Sequence, residues 1–285
     1  MALFCPGLSR FGFQFSNWDA NPSGTPGSLV TAGASPNTES ATPLVLATGA
    51  QLTTDIYATE LHVLAANGTG DRQILMDFGW DPAGGTSYTW VVNNIVVGNA
   101  GLATNGGGFK FVLPLYIPSG SQVAVRIQSS QASIAVDVCA VFHGQPSNPE
   151  AVPVGSFSET IGTITNSNGP SFTPGNAADG AYADLGVTAK DMWWWQLAYS
   201  IANGTITAEQ TYIELAWGDA SNKSLIHRLM HVGTTAETCT TVLNSNTNMW
   251  AAYCPVPAGH NLYVRGRCVN APDTGYNAVA IGIGG

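Results

Sequence analysis

The stretch Pro118-Ser119-Gly120-Ser121-Gln122-Val123-Ala124-Val125-Arg126-Ile127 returns later as Pro257-Ala258-Gly259-His260-Asn261-Leu262-Tyr263-Val264-Arg265-Gly266. Both proline and arginine recur at one offset, because 257 − 118 and 265 − 126 are each 139. Working upstream, Trp80 recurs as Trp217 (217 − 80 = 137) and Asn67-Gly68-Thr69 as Asn203-Gly204-Thr205 (203 − 67 = 136). Ser35-Pro36 corresponds to Gly169-Pro170 (169 − 35 = 134). An offset that drifts this slowly marks a tandem duplication with small loop insertions. Two units of about 137 residues nearly fill the chain, and each is large enough to bury its own core. The division expected is an N-terminal arm over residues 1–18, a first domain over 19–147 and a second over 148–285.

The same stretch sets the type of structure. Val123, Val125 and Ile127 alternate with Ala124, Arg126 and Gln128, and Ile134, Val136, Val138 and Phe142 continue the pattern. Period two with β-branched residues predicts strands with one buried face. In the second unit Leu262, Val264 and Cys268, then Val279, Ile281 and Ile283, alternate likewise, which puts Cys268 on the core side. Asn67-Gly68 and Asn203-Gly204 are hairpin signals between apolar runs. Pro118 and Pro257, each two residues before a glycine, start turns that feed the arginine strands. Ser224 to Val232 comes nearest to a helical pattern and is equally readable as a strand. Short strands spaced by Gly, Pro and Asn predict an all-β protein of two tandem, jelly-roll-like antiparallel β-sandwiches. The linker is expected near Gly144 to Pro153, and Asn21 to Ser40 belongs to the first domain.

Charge is scarce. Only 9% of the 285 residues are charged, against roughly 25% in ordinary soluble domains. The net charge of −9 argues against a nucleic-acid partner, since little here neutralises phosphates. No apolar run approaches the length of a membrane-spanning helix, so membrane insertion is not expected. Met1 to Arg10 lacks the basic start and apolar centre of a secretory signal. Cys5, Cys139, Cys239, Cys254 and Cys268 are odd in number, which fits thiols in a reducing compartment. A Cys254–Cys239 or Cys254–Cys268 bridge stays open.

No motif for catalysis, metal or cofactor is present, and the chain reads as a non-enzyme. His227 and His231 would align on a helix, but no glutamate lies between them and half-exposed histidines are the simpler reading. Asp81 and Asp219 are equivalent positions in different domains and read as turn residues. Two aromatic clusters stand out as interface or glycan-contact candidates. One is Phe4, Phe11, Phe13, Phe15 and Trp18 in the arm; the other is Trp193-Trp194-Trp195, for which core packing competes with exposure. Tyr88 and Trp90 are further loop aromatics.

The block Gly84-Gly85-Thr86-Ser87-Tyr88, Asn94-Ile95-Val96-Val97-Gly98 and Phe111-Val112-Leu113-Pro114-Leu115-Tyr116-Ile117-Pro118-Ser119-Gly120-Ser121 with Arg126 resembles virion structural proteins of tailed bacteriophages. These are fibre, spike or decoration components, commonly built from β-sandwich modules. The resemblance covers residues 60–145 and carries over no site residue. It implies a non-enzymatic virion component, made in the host cytoplasm, whose partners are other virion proteins and further copies of itself. Deleting residues 1–18 would then abolish assembly and leave a folded protein. The alternative is a carbohydrate-binding adhesin that recognises host surface glycans through the tryptophan run or the loop aromatics.

Overall fold

Val123, Val125 and Ile127 are all buried, and the strand that carries them lies inside a sheet in each copy. The structure is a computed structural model that describes residues 11–18, 27–63, 73–97, 109–146, 154–201, 210–232, 252–269 and 276–285. Every regular element among them is a strand. The first copy holds β1 (Phe11–Ser16), β2 (Ser28–Thr31), β3 (Leu44–Ala47), β4 (Ala58–Val63), β5 (Ile74–Asp81), β6 (Thr89–Val96), β7 (Phe109–Leu113), β8 (Gln122–Ser129) and β9 (Ala135–Pro146). The second holds β10 (Phe157–Ile161), β11 (Ser171–Phe172), β12 (Gly175–Asn176), β13 (Ala183–Val187) and β14 (Met192–Ile201). It continues with β15 (Gln210–Gly218), β16 (Lys223–Val232), β17 (Ala252–Val256), β18 (Asn261–Cys268) and β19 (Tyr276–Gly284).

One sheet order is written twice. The first copy stacks β1-β9-β4-β7, with β2 also on β9, against β3-β8-β5-β6. The second stacks β10-β19-β14-β17, with β11 also on β19, against β12-β18-β15-β16, with β13 also on β18. Sequence neighbours such as β4 and β5 fall in opposite sheets while β4 pairs with distant β9, the jelly-roll arrangement of two interleaved Greek keys. The repetition extends to single residues. Asp77 faces Arg126 on β5 and β8 as Glu214 faces Arg265 on β15 and β18, and Leu75 faces Gln128 as Tyr212 faces Arg267. Ala58 faces His143 as Trp194 faces Ile283.

Several expectations need correction. The Asn67-Gly68 and Asn203-Gly204 segments lie outside the described residues, but the strands they join are not hairpin partners. β4 is hydrogen-bonded to β7 and β9, and β5 to β6 and β8, so both strands are already paired on each side. The flanking strands β4 and β5 thus lie in opposite sheets. Ser224 to Val232 is a strand, half of the long β15–β16 pair. β9 runs on to Pro146, so the first residues assigned to the linker belong to the first sandwich.

Phe11–Ser16, placed in a separate arm on sequence grounds, is an edge strand on β9. Asn17 fixes it there: its Nδ2 donates to the Val138 carbonyl at 3.1 Å and its Oδ1 accepts from the Ala140 N–H at 2.6 Å. The proline-glycine turns form as expected, with Gly120 and Gly259 at φ +79° and +81°.

The two sandwiches share buried surface. Leu197 and Tyr199 on β14, with Ala278 and Ala280 on β19, face the second core. Val279, Ile281 and Ile283, expected on that same core, face the other way. Ile281 and Ile283 join the core of the first sandwich, and Val279 packs with Ala198, Leu75 and Val96. Polar contacts complete the joint. Ser158 Oγ donates to the Val91 carbonyl at 2.6 Å, and Thr160 Oγ1 donates to that of Asn93. Gln196 Nε2 donates to the Val112 carbonyl. The outer face of sheet β10-β19-β14-β17 thus closes over the edge strand β6 of the first sandwich.

Candidate functional site

The tryptophan run lies within this joint. Trp195 is 1% exposed in the second core, where its Nε1 donates to the Cys254 carbonyl at 2.9 Å. Trp194 is 4% exposed in the first core beside Ile281 and Ile283, and Trp193 packs half-buried against that core. Strict alternation would separate Trp193 from Trp194. A register shift between Met192 and Trp194 in the β14–β17 pair breaks the alternation. The run is buried structure, and none of its rings forms an exposed platform.

The N-terminal aromatics divide. Phe4 lies outside the described residues. Phe11 is a residue of β1. Phe15 packs on the first core, stacked on Phe142 with centroids 6.2 Å apart. Phe13 and Trp18 are 66% and 49% exposed, with Trp18 edge-on to His62. The Asp81 and Asp219 carboxylates cap turns: Asp81 accepts from the N–H groups of Ala83 and Ser87, and Asp219 from those of Ser221 and Asn222. His227 lies on a strand, and no group of three His, Cys, Asp or Glu among the described residues has metal-site geometry. Cys254 is a free, half-buried thiol, Cys139 and Cys268 are buried, and Cys5 and Cys239 lie outside the described residues.

The face of β4 and β9 that corresponds to the joint carries different chemistry in the first copy. Gln196 is replaced by Glu60 and Ile283 by His143, at matched registers. The Glu60 carboxylate pairs with His143 at 3.0 Å, with His62 at 3.2 Å and with Lys110. Burial pushes this carboxyl up, but hydrogen bonds from the two histidines and Lys110 outweigh it, leaving it well below the usual carboxylate range.

The equivalent arginines anchor a second feature, on the outer face of the other sheet in each copy. In the first copy Arg126 Nε donates to Asp77 at 2.9 Å, its Nη1 pairs with Glu39, and its guanidinium lies 4.5 Å from the Trp90 ring centre. In the second, Arg265 Nε donates to Glu214 at 2.5 Å and its Nη2 to Asp179 at 2.9 Å, with Tyr182 stacked at 4.4 Å. Arg228 Nε also donates to Glu214, at 2.7 Å. Burial raises the Glu214 carboxyl, but the Arg265 and Arg228 hydrogen bonds outweigh it and hold it below its ordinary value. Burial pushes the Tyr182 phenol up.

In the second copy this motif lines a cleft of about 750 Å³, with Asp179, Tyr212, Glu214, Arg228, Arg265 and Arg267 among its walls. Three of the six arginines in the chain (Arg10, Arg72, Arg126, Arg228, Arg265 and Arg267) meet there. None of the cleft residues was singled out from sequence as a site. The available signal was Arg267, which follows Arg265 on the same strand face where the first copy has Gln128 after Arg126.

No protein-family model matches the chain, and no curated protein sequence is similar to it. Among solved structures it is similar to PNGF-II, at 9% identity and TM-score 0.40, over 90% of this chain and 65% of that one. The chain therefore spans just under two thirds of that protein's length. It is also similar to the CBM22-1–CBM22-2 tandem domain of Paenibacillus barcinonensis Xyn10C, at 11% identity and TM-score 0.30, over 96% and 98% of the two chains. PNGase F of Flavobacterium meningosepticum, a glycosylasparaginase, gives 10% identity and TM-score 0.32, over 90% and 96%.

Proposed function

We propose that this chain is a non-enzymatic structural component of a virion, working through protein–protein contacts rather than through nucleic acid or membrane insertion. The carrying observation is the joint itself: Trp194, Ile281 and Ile283 of one sandwich complete the hydrophobic core of the other. Two modules locked this way act as one stiff building block, with sheet faces left for neighbours. The exposed Phe13 and Trp18 on the first sandwich supply apolar area for such a neighbour. Immunodetection across gradient-purified virions tests the reading. Co-migration with particles at fixed stoichiometry is expected; its absence from particles overturns the proposal.

A second reading is favoured by one specific feature. The cleft combines the Tyr212 ring with guanidinium donors and carboxylate acceptors, the mixture that recognises sugars by stacking and directed hydrogen bonds. On this reading the chain is a carbohydrate-binding adhesin. A glycan array with purified protein decides it, and silence on every glycan sinks it.

A further inference from the structure

We infer that the Tyr212 cleft of the second sandwich binds an anionic saccharide, with a carboxylate or sulfate group held between Arg228 and Arg267. This rests on the carbohydrate-binding reading and narrows it to a ligand class. The cleft lies in a chain of net charge −9, yet it gathers three guanidinium groups against two carboxylates, Glu214 and Asp179. Both carboxylates are already engaged: Glu214 by Arg228 and Arg265, Asp179 by Arg265. Arg265 is used up in these contacts and under the Tyr182 ring. Arg267 is exposed at the cleft wall, and the Arg228 side chain, though paired, keeps 56% of its surface open. The balance is one positive charge with donors to spare, the condition for capturing an oxyanion in a fork.

Comparison with the first copy shows that the charge is specific to this site. There, the registers that hold Tyr212 and Arg267 hold Leu75 and Gln128. The place at Asp77 that Arg228 takes at Glu214 is filled by the Asn94 backbone N–H, at 2.8 Å. Leu75 is buried beneath the second sandwich. In the second copy the same position is a half-open tyrosine flanked by two added arginines. A surface meant to seal against another sandwich in the same way would keep the aliphatic residue. Instead it has gained a ring and two cations, which suit a flat, hydroxylated, negatively charged ligand.

The test uses the full chain and titration calorimetry with four probes: oligogalacturonate (carboxylate), a heparin-derived hexasaccharide (sulfate), neutral cellohexaose, and polyglutamate. Binding of either acidic saccharide is expected, weakening with salt and falling about tenfold or more in Arg267→Gln and Tyr212→Ala. Which of the two binds assigns the acid group. The melting curve of each variant checks folding; both positions are exposed enough for the variants to fold. Equal binding of cellohexaose overturns the anionic class and leaves the carbohydrate reading standing. Polyglutamate binding as tight as either saccharide overturns the saccharide assignment. Silence toward all four probes overturns the anionic-saccharide assignment, and only silence across the glycan array as well sinks the carbohydrate reading. Unchanged affinity in folded Arg267→Gln, or an oligomer that dissociates in it without any change in saccharide affinity, overturns the placement in this cleft.

Discussion

Leu75 and Tyr212 occupy the same register on the central strands β5 and β15, yet Leu75 is 1% exposed and Tyr212 is 36% exposed. The difference is tertiary. Leu75 packs with Val96, Ala198 and Val279 in the joint between sandwiches, while no described residue plays that part for Tyr212. A duplicated fold has in this way produced two faces with different roles.

The joint predicts a large effect at Trp194. Trp194→Ala leaves a cavity in the first core, and truncating a buried tryptophan costs about 3 to 5 kcal/mol. Guanidinium unfolding followed by fluorescence is expected to show that loss. A cost below about 1 kcal/mol would mean that the second sandwich does not close the first.

The Glu60 cluster predicts an acid-sensitive term. Its carboxyl is held below its ordinary value of 4.5, so its contribution to stability is present above that value and is lost as pH falls below it. Glu60→Gln is expected to cost about 1.5 to 3 kcal/mol at neutral pH. Between pH 5 and pH 3 the variant should lose less stability than the parent. Parallel acid limbs in the two proteins would contradict the assignment.

The turn glycines predict a matched pair of losses. A Cβ at Gly120 or Gly259 meets nothing within 4 Å, so only the positive φ opposes it. Gly120→Ala and Gly259→Ala are each expected to cost about 1 kcal/mol in urea melts. A neutral outcome at either would rule out the left-handed turn there.

Removal of residues 1–18 is expected to lower the stability of the first sandwich rather than simply delete a tether. It strips β1 and the Asn17 hydrogen bonds from β9 and exposes Phe142. A truncated protein that melts with the parent would restore the arm as a separate docking device.

Much of the fold was legible because its signals are local. Alternation along Val123–Ile127 and the recurrence of Pro-x-Gly with Arg126 and Arg265 depend only on nearby residues. The Asn-Gly pairs misled because a turn dipeptide reports a change of direction, not which strands will pair across it. The tryptophan run was ambiguous for a different reason: hydrophobicity reports burial without saying against what, and one bulge beside Met192 puts Trp193 on the same side as Trp194. Arg228, Glu214 and Arg265 could not be joined into a site, because three strands bring them together.

By itself the sequence determined that the chain is all-β, that it is built as two copies of one sandwich, and which residues point to one side of a strand or the other. Period and repetition are written along the chain, and backbone geometry converts them directly into faces. Only the tertiary structure decided what each face meets. It turned Ile281 and Ile283 toward the neighbouring core, kept Glu60 and His143 as a hydrogen-bonded pair at the matching positions, and opened the arginine cleft at Tyr212. Which face is covered depends on packing between residues more than a hundred positions apart, and no local pattern carries that information.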